Sequence, residues 1–366
     1  MYWVRNLERL ARDARSSSVE YELASESEIE GVLNYANGAV LCGRLSLEPD
    51  RHGLYRYLLR LRLAELEWPP RLDTASPSGY VLRDGIVGEL LAILSIALES
   101  RFFLLSYATG DLSENGIKVR HDYSPVHRPC TIGTDPILFS PHRRKFHRGV
   151  ANLMDCVAAV DPTYHQELIF AYNHYAKALR EVGIDDELVY VRLVSAIEAV
   201  ARRMRVPARR DLFACRDLDE ILDNQKLTPE ERKEARRIFE VRFSKCKFVT
   251  FLMKYCTGFF KGGEWKAPHT RVKRADLERV ASAIYDARSA YLHAGEPMFI
   301  SMRIRGEHRW HTDPGGDMFL GERRFLRKKK LPYPYFFHRL VRHCLLRYTA
   351  TLHIVASHSD DDQPRV

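Results

Sequence analysis

The chain has 366 residues, and its 57 Lys and Arg side chains outnumber its 48 Asp and Glu side chains, which gives a formal charge of +9. With 45% hydrophobic and 29% charged residues, the composition supports a buried core and excludes a globally disordered chain. No apolar run reaches the ~18 residues that a membrane-spanning helix needs, so no membrane partner is expected.

The N-terminal segment and the cysteines indicate the cellular environment. The first residues contain no apolar signal core and carry Glu8 and Asp13, so we expect neither secretion nor import into an organelle. The seven cysteines are scattered and none forms a CxxC pair, which is typical of a reduced chain without a disulfide framework. Together these features predict a cytoplasmic protein.

Residues 1–140 are predicted to form a mixed α/β region. Alternating or β-branched stretches at 19–24, 39–46 and 54–66 favour strands separated by turn sequences. A helix is predicted from Gly85 to about Leu98, with Asp84 as its cap. The segment 108–143 is rich in Gly and Pro, which predicts a long irregular connection and a domain boundary near residue 140.

Residues 141–357 are predicted to be a helical domain, which makes the fold class α+β overall. Predicted helices span about 144–159, 162–182, 185–204, 211–223, 228–240, 245–256, 272–293 and 333–357. Proline after Asp161 and after Thr228 marks helix starts, and Gly183 and Gly295 mark helix ends. A Gly-rich insertion is predicted at about 296–331, and residues 358–366 are predicted to be a disordered tail.

The charge is divided unequally at the same boundary. Residues 1–142 contain 15 basic and 19 acidic side chains, which leaves the other 42 basic and 29 acidic side chains to residues 143–366. The two parts therefore carry −4 and +13. A basic second part indicates an anionic partner, most economically nucleic acid. An ordinary basic surface is the alternative.

The segment from Arg288 to His293 is the main candidate for chemistry. It closes a predicted helix whose apolar positions recur at spacings of three and four, and Gly295 follows it. On a regular helix the five-residue step from Arg288 to His293 leaves the side chains roughly 140° apart. They would share a site only if the last turn unwinds or another chain supplies part of it. Ser289 and His293, four residues apart, share one face.

The pattern R-S-x-Y-x-H-x-G at 288–295 resembles the signature of HEPN domains, specifically the Apea-like group. Segments 170–179, 193–199 and 332–353 are similar to that group's first, second and closing core helices, so the resemblance covers roughly 145–356. It implies an all-α helical bundle, usually a homodimer in which two Arg/His motifs face each other across a cleft. Many members of the family are metal-independent ribonucleases.

That activity suits the residues. RNA carries its own nucleophile, the 2′-OH beside the scissile phosphate, and needs a base, an acid and a cation to react. Histidine titrates near neutral pH, and arginine presents planar donors that match phosphate oxygens. The resemblance therefore implies His293 as acid/base and Arg288 as phosphate clamp, with Ser289 and Tyr291 as neighbours.

Two upstream polar residues are supporting candidates. Glu198 lies in an apolar helical run and either pairs with Arg202 at the surface or turns inward towards a cation. A structural ion pair with Arg288 is the leading expectation, ahead of direct catalysis. Asn173 lies in an apolar helix, where it either lines the same cleft or is a satisfied core residue.

No metal and no cofactor are predicted. His308 and His311 are three residues apart, but glycines and a proline surround them and no third ligand is evident. Gly262-Gly263 lacks the spacing of a phosphate loop. The run Lys328–Lys330 is interpreted first as a solvated basic segment and second as a phosphate contact.

The predicted function is a metal-independent HEPN endoribonuclease, acting as a homodimer on RNA in antiviral defence or a stress response. The N-terminal region would then sense an unknown trigger or gate the cleft. The alternative is a catalytically inactive HEPN module that binds RNA or a partner protein.

Overall fold

The structure is a computed structural model that describes residues 1–12, 15–51, 53–64, 85–109, 119–122, 144–145, 148–182, 184–204, 228–261, 272–298, 318–320, 323–325, 331–332 and 334–359. They form an α+β protein with an antiparallel sheet near the N-terminus and long helices after it, which confirms the predicted class. The chain divides into two compact units, Met1–Arg180 with Thr349–Val366, and Glu181–Tyr348. The boundary predicted near residue 140 lies outside the described residues.

A six-stranded sheet forms the centre of the first unit. The strands of this unit are β1 Ser16–Ser25, β2 Ile29–Glu30, β3 Val32–Tyr35, β4 Val40–Arg44, β5 Tyr55–Ala64, β6 Phe103–Thr109, β7 Val119–Asp122 and β8 Arg144–Lys145. The sheet order is β3-β4-β5-β1-β6-β7, and all its neighbours are antiparallel. β2 and β8 form a separate parallel pair.

The central pair β1 and β5 shows why these segments form strands. Leu23 lies opposite Tyr57, and both are fully buried. On the other face Glu20 lies opposite Arg60, and the two side chains form an ion pair at 2.7 Å. This alternation of apolar and charged faces is the period-two pattern that predicts the strands from sequence.

Five strands of this unit were not predicted: β2, β3, β6, β7 and β8, the last of which lies at the start of the helix predicted at about 144–159. β6 begins five residues after the end of α2, and β7 lies inside the segment predicted to be an irregular connection. β7 has four residues, Val-Arg-His-Asp, and among the described strands it pairs with β6 alone, at the edge of the sheet. A polar edge strand this short shows no alternation of apolar and polar residues that would predict it. It forms because the neighbouring strand offers a hydrogen-bonding edge.

The helices of the first unit are α1 Tyr2–Leu10, α2 Gly85–Leu98, α3 Arg148–Ala158 and α4 Pro162–Glu181. α2 has the predicted bounds, and ten of its fourteen residues are buried. α4 begins at the predicted proline. The hydroxyl of the fully buried Tyr172 on α4 forms a hydrogen bond with the hydroxyl of Thr349. This bond joins the two sequence segments of the first unit.

α1 was not predicted, because a residue far along the chain stabilises it. Glu89 of α2 is only 2% exposed, and its carboxylate accepts hydrogen bonds from the backbone N–H groups of Tyr2 and Trp3, each at 3.0 Å. Those donors have no partner within a helix, so Glu89 serves as a distant N-terminal cap for α1.

The burial of Glu89 predicts a pH dependence of stability. Desolvation raises the pKa of Glu89 above its usual 4.5, although the hydrogen bonds from Trp3 and Tyr2 oppose the shift. Its contribution to stability is fully present below the usual pKa and is lost as the pH rises through the raised value. We expect thermal denaturation to show wild type losing stability relative to Glu89→Gln from acid towards neutral pH. Parallel pH curves would contradict this assignment.

The second unit is mainly helical. It contains α5 Asp186–Ala201, α6 Pro229–Tyr255, α7 Leu277–Ala294 and the first part of α8 Pro334–Ser359, with short 3-10 turns at Phe259–Lys261 and Arg274–Asp276. α5, α6 and α7 contact one another. The rings of Phe251, Tyr255 and Tyr348 pack at centroid distances of 4.7 to 5.3 Å and form part of the core between α6 and α8.

α6 corrects the prediction of two helices at 228–240 and 245–256, because it is one helix of 27 residues. The residues between those ranges contain neither Gly nor Pro, so nothing in the backbone ends the helix there. At its start the Thr228 hydroxyl accepts a hydrogen bond from the Glu231 N–H, and Glu231 accepts one from the Thr228 N–H. This capping box confirms the predicted helix start.

The remaining predictions fall partly outside the described residues. The predicted helix at 211–223 lies there entirely. Within the predicted insertion at 296–331, β9 Met318–Leu320 and β10 Arg323–Phe325 form an antiparallel pair. α8 ends at Ser359, two residues into the segment predicted to be a disordered tail. Within the described part of the chain, no helix has the length and apolar character to span a membrane.

Candidate functional site

Helix α7 carries the Arg288–His293 segment and ends where the sequence predicts. Gly295 adopts a left-handed conformation with φ 65° and ψ 19°, and its N–H donates to the Tyr291 carbonyl at 3.2 Å. The buried residues of α7 are Leu277, Val280, Ala281, Ile284 and Tyr285. The buried positions of α7 end at Tyr285, and the turns after it are half-buried and then exposed.

The left-handed Gly295 predicts a backbone penalty for substitution. A Cβ at Gly295 would meet no atom within 4 Å, so conformation and not crowding is the only obstacle. We expect Gly295→Ala to lower the free energy of unfolding by about 1 kcal/mol. Gly295→Asn is the matched control, because Asn visits this conformation readily, and it should cost less in chemical denaturation. Equal losses in the two variants would contradict the conformational explanation.

Arg288 forms the ion pair with Glu198 that the sequence analysis expects. Its Nη2 donates to Glu198 Oε2 at 2.7 Å, with the two side chains 17% and 24% exposed. A charge-assisted bond in a mostly buried setting fixes the guanidinium more firmly than a surface pair does. Glu198 therefore holds Arg288, and the alternative pairing with Arg202 is not the arrangement observed.

Tyr285 completes this arrangement and was not predicted. Its hydroxyl donates to Glu198 Oε1 at 2.9 Å, and the Arg288 guanidinium lies 5.7 Å from its ring centroid, within cation–π range. Burial raises the pKa of the Tyr285 phenol, and the Glu198 carboxylate raises it further. The phenol thus stays a neutral donor. Its sequence signal was the three-residue spacing to Arg288, which places both on one side of α7.

Tyr285, Glu198 and Arg288 form what we call the Tyr285 cluster. Glu198 uses both oxygens in it, one for each partner. Among the described residues, Arg288 Nε is buried and has no hydrogen-bond partner. The cluster therefore holds a cation whose donors are only partly used.

His293 lies away from this cluster along the helix. It is exposed in the last turn of α7, and no hydrogen bond or ion pair joins it to any described residue. α7 remains α-helical through Ala294, so the last turn does not unwind to bring His293 beside Arg288. The helical geometry leaves the two side chains roughly 140° apart in one chain.

The other candidates occupy three different settings. Ser289 is half-buried on α7, four residues before His293 and on its face. Partial burial, followed by the carboxylates of Glu187 and Asp185, raises the pKa of the Tyr291 phenol. Asn173 is half-buried on α4 and belongs to the first compact unit, whereas the other candidates belong to the second.

The chain after α7 is held at Met298. The Met298 N–H donates to the Glu187 carboxylate in the first turn of α5, and the Met298 side chain is buried. Only Glu296 and Pro297 lie between this attachment and Gly295. The turn that follows His293 is therefore fixed at both of its ends.

Potential metal-ligating side chains are not clustered among the described residues. No three His, Cys, Asp or Glu side chains in that part of the chain are grouped to hold a metal ion. His308, His311, Gly262-Gly263 and the run Lys328–Lys330 all lie outside the described residues.

Comparison of the chain with protein-family models, curated proteins and solved structures found no match. The functional interpretation therefore depends on the residues and on the geometry of α5 and α7.

Proposed function

We propose that this chain is a metal-independent endoribonuclease of the HEPN type, which cleaves RNA at a composite site in a homodimer. The observation that carries the proposal is the Tyr285 cluster on a helix whose last turn exposes His293. A fixed, partly unpaired arginine and a solvent-facing histidine at the end of one helix are the two groups that phosphate-ester cleavage in RNA needs.

The proposed reaction uses the nucleophile of the substrate. The 2′-OH attacks the adjacent phosphorus, and the bond to the 5′-oxygen breaks, which leaves a 2′,3′-cyclic phosphate and a 5′-hydroxyl. The 2′-OH proton passes to His293, and the leaving 5′-oxygen receives a proton from the resulting imidazolium or from water. Arg288 stabilises the negative charge that develops on the phosphate oxygens. No step in this scheme calls for a cofactor.

A second copy of the chain brings an arginine and a histidine together at one phosphate. Arg288 and His293 lie on different sides of α7, so one chain does not place both on one phosphate. In the proposed homodimer, Arg288 of one copy and His293 of its partner act on the same phosphate. Leu292, 47% exposed beside His293, is an apolar side chain that such an interface would cover.

The cellular role that we propose is restriction of RNA in antiviral defence or a stress response, in the cytoplasm. In this role the N-terminal region, residues 1–140, senses a trigger or gates the site. The +13 charge of residues 143–366 supports an RNA partner, because clustered Lys and Arg attract the phosphate backbone.

A second candidate function is an inactive HEPN module that binds RNA or a partner protein. The separation of Arg288 and His293 within one chain favours it, because a monomer would hold the cation without the acid/base group. Such a module would keep RNA affinity and lack turnover.

The test is incubation of the purified chain with mixed RNAs in EDTA, followed by analysis of the product ends. Cleavage that leaves cyclic or 3′-phosphate ends supports the ribonuclease. If the chain binds RNA without cleaving it, and light scattering shows that it is a dimer, the binding module is favoured.

A further inference from the structure

The Glu198 carboxylate is shared in an unusual way. A free arginine–carboxylate pair tends to form two parallel hydrogen bonds, in which two guanidinium nitrogens face two oxygens. Here only one such bond forms, from Arg288 Nη2 to Glu198 Oε2. The second oxygen, Oε1, accepts from the Tyr285 hydroxyl instead. Arg288 Nε, which would donate the second of the two parallel hydrogen bonds, is buried without a hydrogen-bond partner among the described residues.

The packing around Tyr285 fixes its hydroxyl in this position. Tyr285 is only 4% exposed, and its ring lies 5.5 Å from the Phe248 ring on α6. Because both the ring and the hydroxyl are held, Glu198 Oε1 stays directed at Tyr285 and away from Arg288.

We propose that Tyr285 is a positioning residue that keeps Arg288 half-paired, so that the guanidinium retains donors for a phosphate oxygen. This inference rests on the proposed function for its choice of an RNA phosphate as the ligand. Without the hydroxyl, Glu198 Oε1 turns to Arg288 Nε and accepts a second hydrogen bond from the guanidinium. The carboxylate then occupies two of the five guanidinium N–H donors and neutralises the charge more fully, so a phosphate oxygen binds the remaining donors more weakly.

The test uses a single-stranded 2′-O-methyl oligonucleotide of mixed sequence, which lacks the nucleophile and is not cleaved. Its affinity is measured by fluorescence anisotropy at low salt, so the readout does not depend on turnover. We expect Tyr285→Phe to bind about tenfold more weakly than wild type, the effect of one charge-assisted hydrogen bond. Arg288→Ala should lose at least as much.

A double variant separates positioning from simple structural support. Replacing Glu198 by Gln removes the charge that competes for Arg288, so Tyr285→Phe combined with Glu198→Gln should regain affinity to within about twofold of wild type. Glu198→Gln alone should bind at least as tightly as wild type, and it tests the same competition if Tyr285→Phe does not fold. Tyr255→Phe is the matched control, because Tyr255 is a buried tyrosine of the same unit, and it should bind like wild type.

The outcomes are distinct. The positioning role would be wrong if Tyr285→Phe bound like wild type, or if adding Glu198→Gln did not restore its lost affinity. Weaker binding by Glu198→Gln alone would also overturn it. Unchanged binding by Arg288→Ala would overturn it as well. If the variants behave as expected but the wild-type chain cleaves no RNA, the positioning role stands and the ribonuclease proposal fails.

Discussion

RNA cleavage in EDTA is expected to fall by about 10²- to 10⁴-fold in His293→Ala and by about 10²- to 10³-fold in Arg288→Ala. The first change removes the only group in the scheme that moves a proton. The second removes the cation that stabilises the phosphate as charge develops. Initial rates on a defined RNA substrate measure both effects, and analysis of the product ends identifies the reaction.

Two matched variants control for charge and fold. Arg279→Ala removes an arginine from the same helix whose side chain is 80% exposed, and His353→Ala removes a histidine from α8. Both should cleave at the wild-type rate. Because Glu198 keeps its hydrogen bond from Tyr285 in Arg288→Ala, that variant should remain folded by circular dichroism. Equal activity of Arg288→Ala and Arg279→Ala would remove Arg288 from the mechanism.

Mixing the two inactive variants is expected to restore about a quarter of the wild-type activity. If each site takes Arg288 from one copy and His293 from its partner, a dimer of Arg288→Ala with His293→Ala contains one complete site. Random assortment puts both variants in about half of the dimers, each with one of two sites intact. The gain over either variant alone would be at least tenfold, and the same rate assay after subunit exchange measures it.

The control for this mixing experiment replaces one variant by the double variant Arg288→Ala/His293→Ala. A mixture of the double variant with Arg288→Ala contains no copy that retains Arg288, so it should stay inactive. If the first mixture also stays inactive while wild type cleaves RNA as a dimer, both groups act from one chain. Wild-type cleavage by a strict monomer would have the same meaning.

Local sequence signals account for much of the fold. The alternation in β1 and β5, the capping residues of α6 and the glycine after α7 each act within a few residues, so a single sequence displays them. α1 and β7 depend instead on partners outside their own segments. Glu89 stabilises α1 from α2, and among the described strands β6 is the one that pairs with β7.

The candidate site was also predictable from the sequence only in part. A buried acid in an apolar helix needs a cation, which made the Glu198–Arg288 pair predictable. Tyr285 was not predictable as its third member, because a tyrosine in an apolar stripe usually serves as core. The direction of its hydroxyl depends on the packing of α7 against α5 and α6, and that packing has no counterpart in the spacing of residues.

The hydrogen bond between Tyr172 and Thr349 has a consequence for biosynthesis. The two residues are 177 positions apart, with the whole second unit encoded between them. At ~5–20 residues per second, roughly 10 to 35 seconds separate their synthesis. During that interval the Tyr172 hydroxyl lacks its partner, and a buried unpaired hydroxyl is unfavourable. Chains that terminate before residue 349 therefore keep this defect and should be preferred substrates for cellular proteolysis.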